Sequence, residues 1–247
     1  MDPHDSVGIL DIYAPKCEFF TKPEPFERFL RDNVIDYLVV CTPNYLHESY
    51  VQMGLRNYCN VICEKPLVVN PKNLSYLQGL EKEHNRRVYP ILQMRYTALD
   101  SILADNNTDA HPQIRINYHT YRGPWYDYSW KMDKAKSGGL AMNIGIHLFD
   151  LAIKSFGYVK DIDVVHVNAR HLMGTLFLEN ADVQFDLSLN EQKINRSILI
   201  DAKEIQINTG FDNLHIECYT DIIAGNGLRI EDAKPALDLC WRIENER

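Results

Sequence analysis

The sequence predicts an α/β domain built on a parallel sheet, followed by an α+β domain built on an open, mainly antiparallel one. Two observations carry this. Over residues 1–96, short continuous apolar runs alternate with helical segments, the rhythm of strand-helix-strand units. Over residues 97–247 the runs give way to strict apolar/polar alternation, as expected of strands covered on one face only. A length of 247 residues, 45% of them hydrophobic and 24% charged, is enough for two such domains with real cores.

The elements follow in order. Asp5-Ser6 can cap a short helix through Tyr13, and Cys17–Thr21 suits a short strand. Pro25 fits the first turn of a helix to Asn33, because its missing N–H costs nothing there. Tyr37–Cys41 is a continuous apolar run, as strands buried on both faces are, and Asn60–Cys63 is the next strand. A helix over 47–56 separates them. Pro71 opens another to Asn85, and Val88–Met94 completes the parallel set. Beyond residue 97, "QIRINYHTY" sets Ile114, Ile116 and Tyr118 against Arg115, Asn117 and His119. Gly138-Gly139 precede a helix to Phe156. "GTLFLENADVQFDLSL" and "SILIDAKEIQI" read as hairpins, and helices over 216–224 and 231–243 follow.

The formal net charge is -8 with no block of like charges, which argues against nucleic acid or an anionic membrane as the main partner. No apolar run approaches the roughly 20 residues of a membrane span, and the first ten residues do not read as a secretory signal. The six cysteines, at 17, 41, 59, 63, 218 and 240, form no C-x-x-C pair. They read as reduced thiols of a cytoplasmic protein.

Two strand ends are decorated. "CTPNYLH" puts Thr42, Pro43, Asn44 and His47 after one buried strand, and "VICEKP" puts Glu64, Lys65 and Pro66 after the next. Singly, T-P-N reads as a turn and E-K-P as a solvated strand end. Adjacent, they read as one cleft at the carboxyl edge of a doubly wound sheet, where such folds bind ligands. Lys65 is the reactive candidate. Shifting an amine from its ordinary pKa of ~10.4 to the ~7–8 useful in proton transfer takes roughly 4 kcal/mol of desolvation. The apolar neighbours Val61, Ile62 and Leu67 could supply it, and a cis Lys65–Pro66 bond would fix where the amine points. A second constellation is "NIGIHLFD". On a helix Asn143, His147 and Asp150 share one face. They form either a pocket wall or a satisfied core His–Asp pair, and ligand spacing for zinc is lacking.

Taken together, T-P-N-x-x-H, the apolar strand before E-K-P, and G-G-x-x-x-N-I-G-I-H-x-x-D resemble the glucose-fructose/inositol dehydrogenase oxidoreductase family. With "ILQ-x-R", "RG-x-WY" and "GF-x-x-LH", the likeness leans to its UDP-2-acetamido-2-deoxy-glucuronate 3-dehydrogenase subgroup and runs along the whole chain. The resemblance implies a Rossmann-type first domain, NAD (NADP not excluded) and hydride exchange at a ring carbinol of a sugar nucleotide. It also implies a place in polysaccharide biosynthesis and a homo-oligomer formed through the open sheet. It implies Lys65 and His147 beside the reacting hydroxyl, and Arg95 and Asn143 on the sugar. Arg122 is implied for a substrate carboxylate or a neighbouring subunit. Thr42, Pro43, Asn44, His47, Glu64 and Gln93 are implied on the cofactor side. Many relatives have aspartate where this chain has Asn143; the sugar-nucleotide subgroup has asparagine.

No glycine-rich pyrophosphate turn occurs in the sequence; Gly8 is its first glycine. Aligned to the family, Met1 falls near the end of the second strand, and Asp2 takes the place of the ribose-binding acid. The expectation is an N-terminally truncated Rossmann-type sheet, from a longer functional protein or a degenerate relative. The alternative function is a non-catalytic sugar-nucleotide-binding or assembly subunit.

Overall fold

Tyr37–Val40 (β1), Asn60–Cys63 (β2) and Val88–Pro90 (β3) are short strands; β2 and β3 bury Val61, Ile62, Cys63, Val88 and Tyr89 on both faces, whereas β1 at the edge of the described sheet leaves Val39 exposed. They pair in parallel in the order β1-β2-β3, with Val40 opposite Cys63 and Cys63 opposite Pro90. The computed structural model describes residues 18–97, 111–201, 203–206 and 213–246, and of residues 191, 193, 205 and 206 the backbone alone. The helix expected from Asp5 and the residue Asp2 lie outside them. Of the strand expected over Cys17–Thr21, the described part is irregular, and the chain enters helix α1 at Pro23–Asp32.

Between β1 and β2 runs α2, Asn44–Arg56, three residues longer at its start than the sequence suggests because Pro43 turns the chain directly into it. It lies hard against β2. A Cβ on Gly54 would come within 2.6 Å of the Val61 side chain. A single turn at Pro71–Asn73 leads into α3, Leu74–His84. β3 is shorter than the expected Val88–Met94. The chain folds instead into a tight turn at Gln93–Tyr96, which delivers Gln93, Met94 and Arg95 to the sheet's carboxyl edge.

The second sheet has six strands: Gln113–Tyr121 (β4), Val159–Val167 (β5), His171–Leu178 (β6), Asp182–Ser188 (β7), Asn190–Ile200 (β8) and Lys203–Gln206 (β9). Their order is β5-β6-β7-β4-β8-β9, and only the β4–β7 pair is parallel. β5 is absent from the sequence reading. Register shifts between Val159 and Asp161 and between Val164 and His166 break the alternation that would have revealed it. One face buries Ile114, Ile116, Val183, Phe185, Leu187, Ile198 and Ile200.

Two helices, α5 (Ile146–Phe156) and α7 (Ile230–Asn245), cover that face and the gap between the sheets. The single turn α4 (Lys134–Ser137) packs on α2, and α6 (Leu214–Ile223) lays Cys218 and Ile222 on Ile62, Tyr89 and Ile91 of the first sheet. On α5, Leu148, Phe149, Leu151 and Ala152 are buried, and Phe149 meets Phe185 edge-on at 5.1 Å. Ala233, Ala236 and Cys240 give α7 a narrow side that approaches the chain before α5. There the Cys240 thiol donates to the Ala141 carbonyl at 3.4 Å. One apolar cluster runs continuously from Leu38 and Val61 through α5 and α7 to Phe185. No helix among the described residues is long and apolar enough to cross a membrane.

Candidate active site

The site lies where the carboxyl edge of the first sheet faces the start of α5. The chain enters α5 through Ala141–Gly145, a turn with π-helical hydrogen bonding of the kind that gathers at functional positions. Its first amide is fixed from far away: Ala141 donates to Glu244 Oε1 of α7 at 2.9 Å. Lys134 also binds Glu244, through its backbone carbonyl and its carboxylate. Gly139, at φ +85°, lies directly under that carboxylate; a Cβ there would sit 2.2 Å from Glu244 Cδ. Gly138-Gly139 therefore do more than announce a helix. Gly139 clears room for the acid that holds it, and Gly138, at φ +81°, for the Met142 side chain.

From this turn Asn143 offers its carbonyl to Lys65 Nζ at 2.6 Å. The Lys65–Pro66 bond is cis. Burial, ahead of every charge around it, pulls the lysine down to about 8; Glu64 opposes the shift, while Lys131 and Arg122 add to it. One turn further along, His147 is driven well below its ordinary value by burial, then by Lys65 and His215, so its ring is neutral. Its Nδ1 is buried without a partner. Lys65 and His147 share a cavity of about 550 Å³ with Gln93, Met94, Tyr118, Arg122, Asn143, Ile144, Leu148 and Arg196.

The residues expected on the cofactor side divide into two groups. His47 is buried with its ring nitrogens 2.7 Å from the carbonyls of Pro66 and Thr42, so it fastens the two decorated strand ends together. Asn44 donates to the Ser137 carbonyl at 2.8 Å, and Pro43 starts α2. These three shape the edge from within. Thr42 Oγ1 and Gln93 Oε1, in contrast, are buried polar atoms with no partner among the described residues. Buried unpaired oxygens cost about 1–3 kcal/mol each, so a ligand's polar groups belong against them. Glu64 faces His215 of α6 at 3.4 Å.

Arg95 is not brought to the cavity. Its guanidinium forks onto Asp150 at 2.8 and 2.6 Å, and Nη2 also donates to the Asp232 carbonyl at 2.7 Å. Asp150, expected beside Asn143 and His147, is the other half of that fork. Burial raises its carboxyl and Arg95 offsets part of the rise. Three groups were not read as site residues from the sequence: Arg196, Tyr118, and Tyr126, whose hydroxyl lies 3.4 Å from Asn143 Nδ2. Arg196 could have been found by parity, since it is two and four residues from the core-facing Ile198 and Ile200.

The loop carrying Arg122 and Tyr126 is held by Arg170, in the turn before β6. Arg170 binds Asp127 at 2.7 Å and the Arg122 carbonyl at 3.1 Å, and stacks over the Tyr126 ring. Arg170→Ala should therefore raise KM about tenfold while leaving kcat within a few-fold, the loss of roughly one charge-assisted contact. Steady-state kinetics would check it, and a KM within twofold of the original would sink it.

A parallel sheet with a polar carboxyl edge, joined to an open mixed sheet whose first helix faces that edge, defines the class: two-domain oxidoreductases with a Rossmann-type half. The chain belongs to the GFO_IDH_MocA oxidoreductase family. Residues 4–91 match its NAD-binding Rossmann fold and residues 113–192 its C-terminal alpha/beta domain. The structure is similar to the WlbA (WbpB) dehydrogenase of Thermus thermophilus, solved in complex with NAD and UDP-GlcNAcA. The TM-score is 0.93 at 36% identity, over 100% of this chain and 85% of that one. The WlbA dehydrogenase of Bordetella pertussis, with NADH and UDP-GlcNAcA, shares the fold at a TM-score of 0.81 and 16% identity, over 99% of this chain and 87% of that one. Among curated proteins, the glucose-6-phosphate 3-dehydrogenase of Bacillus subtilis is 25% identical over 191 residues. That match takes in 72% of this chain and 53% of the relative, so the chain spans about half the length of that protein.

Proposed function

We propose that the chain acts as an NAD-dependent dehydrogenase of a nucleotide-linked amino-sugar acid of the UDP-GlcNAcA kind, with Lys65 handling the proton of a ring carbinol. The observation that carries the reading is the Lys65 amine. It is desolvated, lowered to about 8, held 2.6 Å from the Asn143 carbonyl, and open to the same cavity as a neutral His147. Residues 1–96 form the cofactor half and residues 97–247 the substrate half.

The partnerless oxygens of Thr42 and Gln93 fit the cofactor side, and Glu64 borders it. Pro43, Asn44 and His47 keep that edge in shape. When bound, nicotinamide supplies the hydride acceptor. The chain's own residues do the rest. The free amine of Lys65 takes the proton from the carbinol oxygen as the carbonyl forms. His147 Nδ1, with no protein partner, orients the same hydroxyl. Asn143 holds the lysine through its carbonyl and presents its side chain beside Tyr126. Arg122 faces the sugar's acid group, while Arg95 keeps Asp150 and α5 in place. Val165 and Phe177, exposed on the second sheet's open face, support its role as a contact between copies of the chain.

The lysine sets the pH dependence. Its base form is populated above its pKa, so in the oxidative direction kcat/KM should fall about tenfold per unit below roughly pH 8 and level off above it. In the reductive direction the protonated form is needed, and the slope reverses. A profile flat from about pH 6 to 9 would remove Lys65 from proton transfer. The decisive assay is turnover of UDP-GlcNAcA with NAD, followed by nicotinamide absorbance. Sugar-nucleotide binding without turnover would move the chain to the non-catalytic reading.

A further inference from the structure

Arg196 lies on β8 directly across from Tyr118 of β4, in the register that also pairs Ile116 with Ile198 and Ile114 with Ile200. Residues opposite one another across a strand pair share a face, and alternate residues repeat it. Arg196 therefore continues the face on which Ile114, Ile116, Ile198 and Ile200 are buried, and reaches the cavity where that face runs out. An arginine there has no packing reason to be one. Its guanidinium stacks 5.0 Å from the Tyr118 ring centroid, which keeps the planar fork flat and leaves its N–H groups free.

Its electrostatic setting is unusual for this protein. The chain carries 34 acidic against 26 basic residues, yet among the described residues no carboxylate lines the cavity that Arg196, Arg122 and Lys65 share. Arg95 and Arg170 have carboxylate partners; among the described residues the side chains of Arg122 and Arg196 have none. Two unpaired guanidinium groups facing one cavity repel each other until an anion enters.

We propose that Arg196 is a specificity-determining residue, which takes an anionic group of the substrate, a carboxylate or a phosphate, separate from the group that Arg122 takes. The cavity thereby selects substrates with at least two negative groups over singly charged or neutral sugars. The inference rests on the sugar-nucleotide reading for its turnover assay and on the cavity alone for its binding assay.

The test is Arg196→Gln, with Arg196→Lys beside it, in the full chain with NAD. KM for UDP-GlcNAcA should rise about 10- to 50-fold in Arg196→Gln with kcat within about threefold, and Arg196→Lys should recover part of the loss. Dissociation constants are measured in parallel for UDP and for glucuronate as separate probes. A selective loss of UDP affinity assigns the phosphate as the group read, and a selective loss of glucuronate affinity assigns the carboxylate. Unchanged KM and unchanged affinity for both probes would overturn the proposal, as would a wild-type protein that binds neither. If the wild type binds the probes but turns nothing over, the dehydrogenase reading fails and the anion site stands. An unchanged melting temperature in Arg196→Gln separates lost recognition from lost packing on Tyr118.

Discussion

Lys65→Met is expected to lower kcat about a thousandfold or more while leaving sugar-nucleotide affinity within about threefold, the loss expected when a positioned acid–base group is removed. The substitution keeps the length of the side chain and deletes the amine. The lysine is buried, and Met94, Ile144 and Leu148 are among the groups that line its cavity, so methionine suits the space and folding should be untouched. What disappears is the group that burial lowers to about 8 and that the Asn143 carbonyl aims at 2.6 Å. His147 cannot replace it. Burial keeps its ring neutral, and taking up a full proton there would put a charge in a desolvated site. Turnover and calorimetric binding on the same preparation check the prediction. A kcat within tenfold of the original would show that the proton leaves by another route.

The largest effect on stability is expected at the Arg95–Asp150 pair. Asp150→Ala should cost about 3–5 kcal/mol, and lower the melting temperature by about 6–20 °C, because it strands a buried guanidinium. The Arg95 side chain is 15% exposed and that of Asp150 2%, so water cannot rescue either. Removing both is a different matter. The desolvation of a buried pair nearly cancels its attraction, so Arg95→Met with Asp150→Leu should regain most of the loss. The cycle also decides what Arg95 is for. If it held the sugar, single variants would raise KM at an unchanged melting temperature. With the fork consumed by Asp150 and by the Asp232 carbonyl, the melting temperature moves first.

That arginine marks where sequence reading stopped. The parallel sheet was legible because Tyr37–Val40 and Val61–Cys63 are apolar runs, the pattern a sheet covered on both faces asks for, although Val39 of the first is left exposed. Lys65 was legible because a charged pair closing such a strand has no packing explanation. The partner of Arg95 lies 55 residues away, and nothing local to "LQMRY" announces Asp150. β5 was hidden by its two register shifts. The π-helical turn at Ala141–Gly145 differs from an α-helix in its hydrogen bonding, to which residue pattern is blind. Arg196 stands in the polar run "NEQKINRS", and its parity becomes meaningful only once Ile198 and Ile200 are known to face inward.

The grip of Glu244 on the Ala141 amide has a consequence in time. The two residues are 103 positions apart, and the lysine's partner Asn143 sits just beyond the held amide. Ribosomes add about 5–20 residues per second, so roughly 5–20 s pass between the synthesis of the catalytic turn and the arrival of its anchor. Long-range closures of this kind are also the slow ones in folding. The nascent chain can build the strand edge around Lys65 early, but the turn that aims the lysine must wait for α7. Activity should thus be the last property acquired during refolding, trailing the recovery of helical signal.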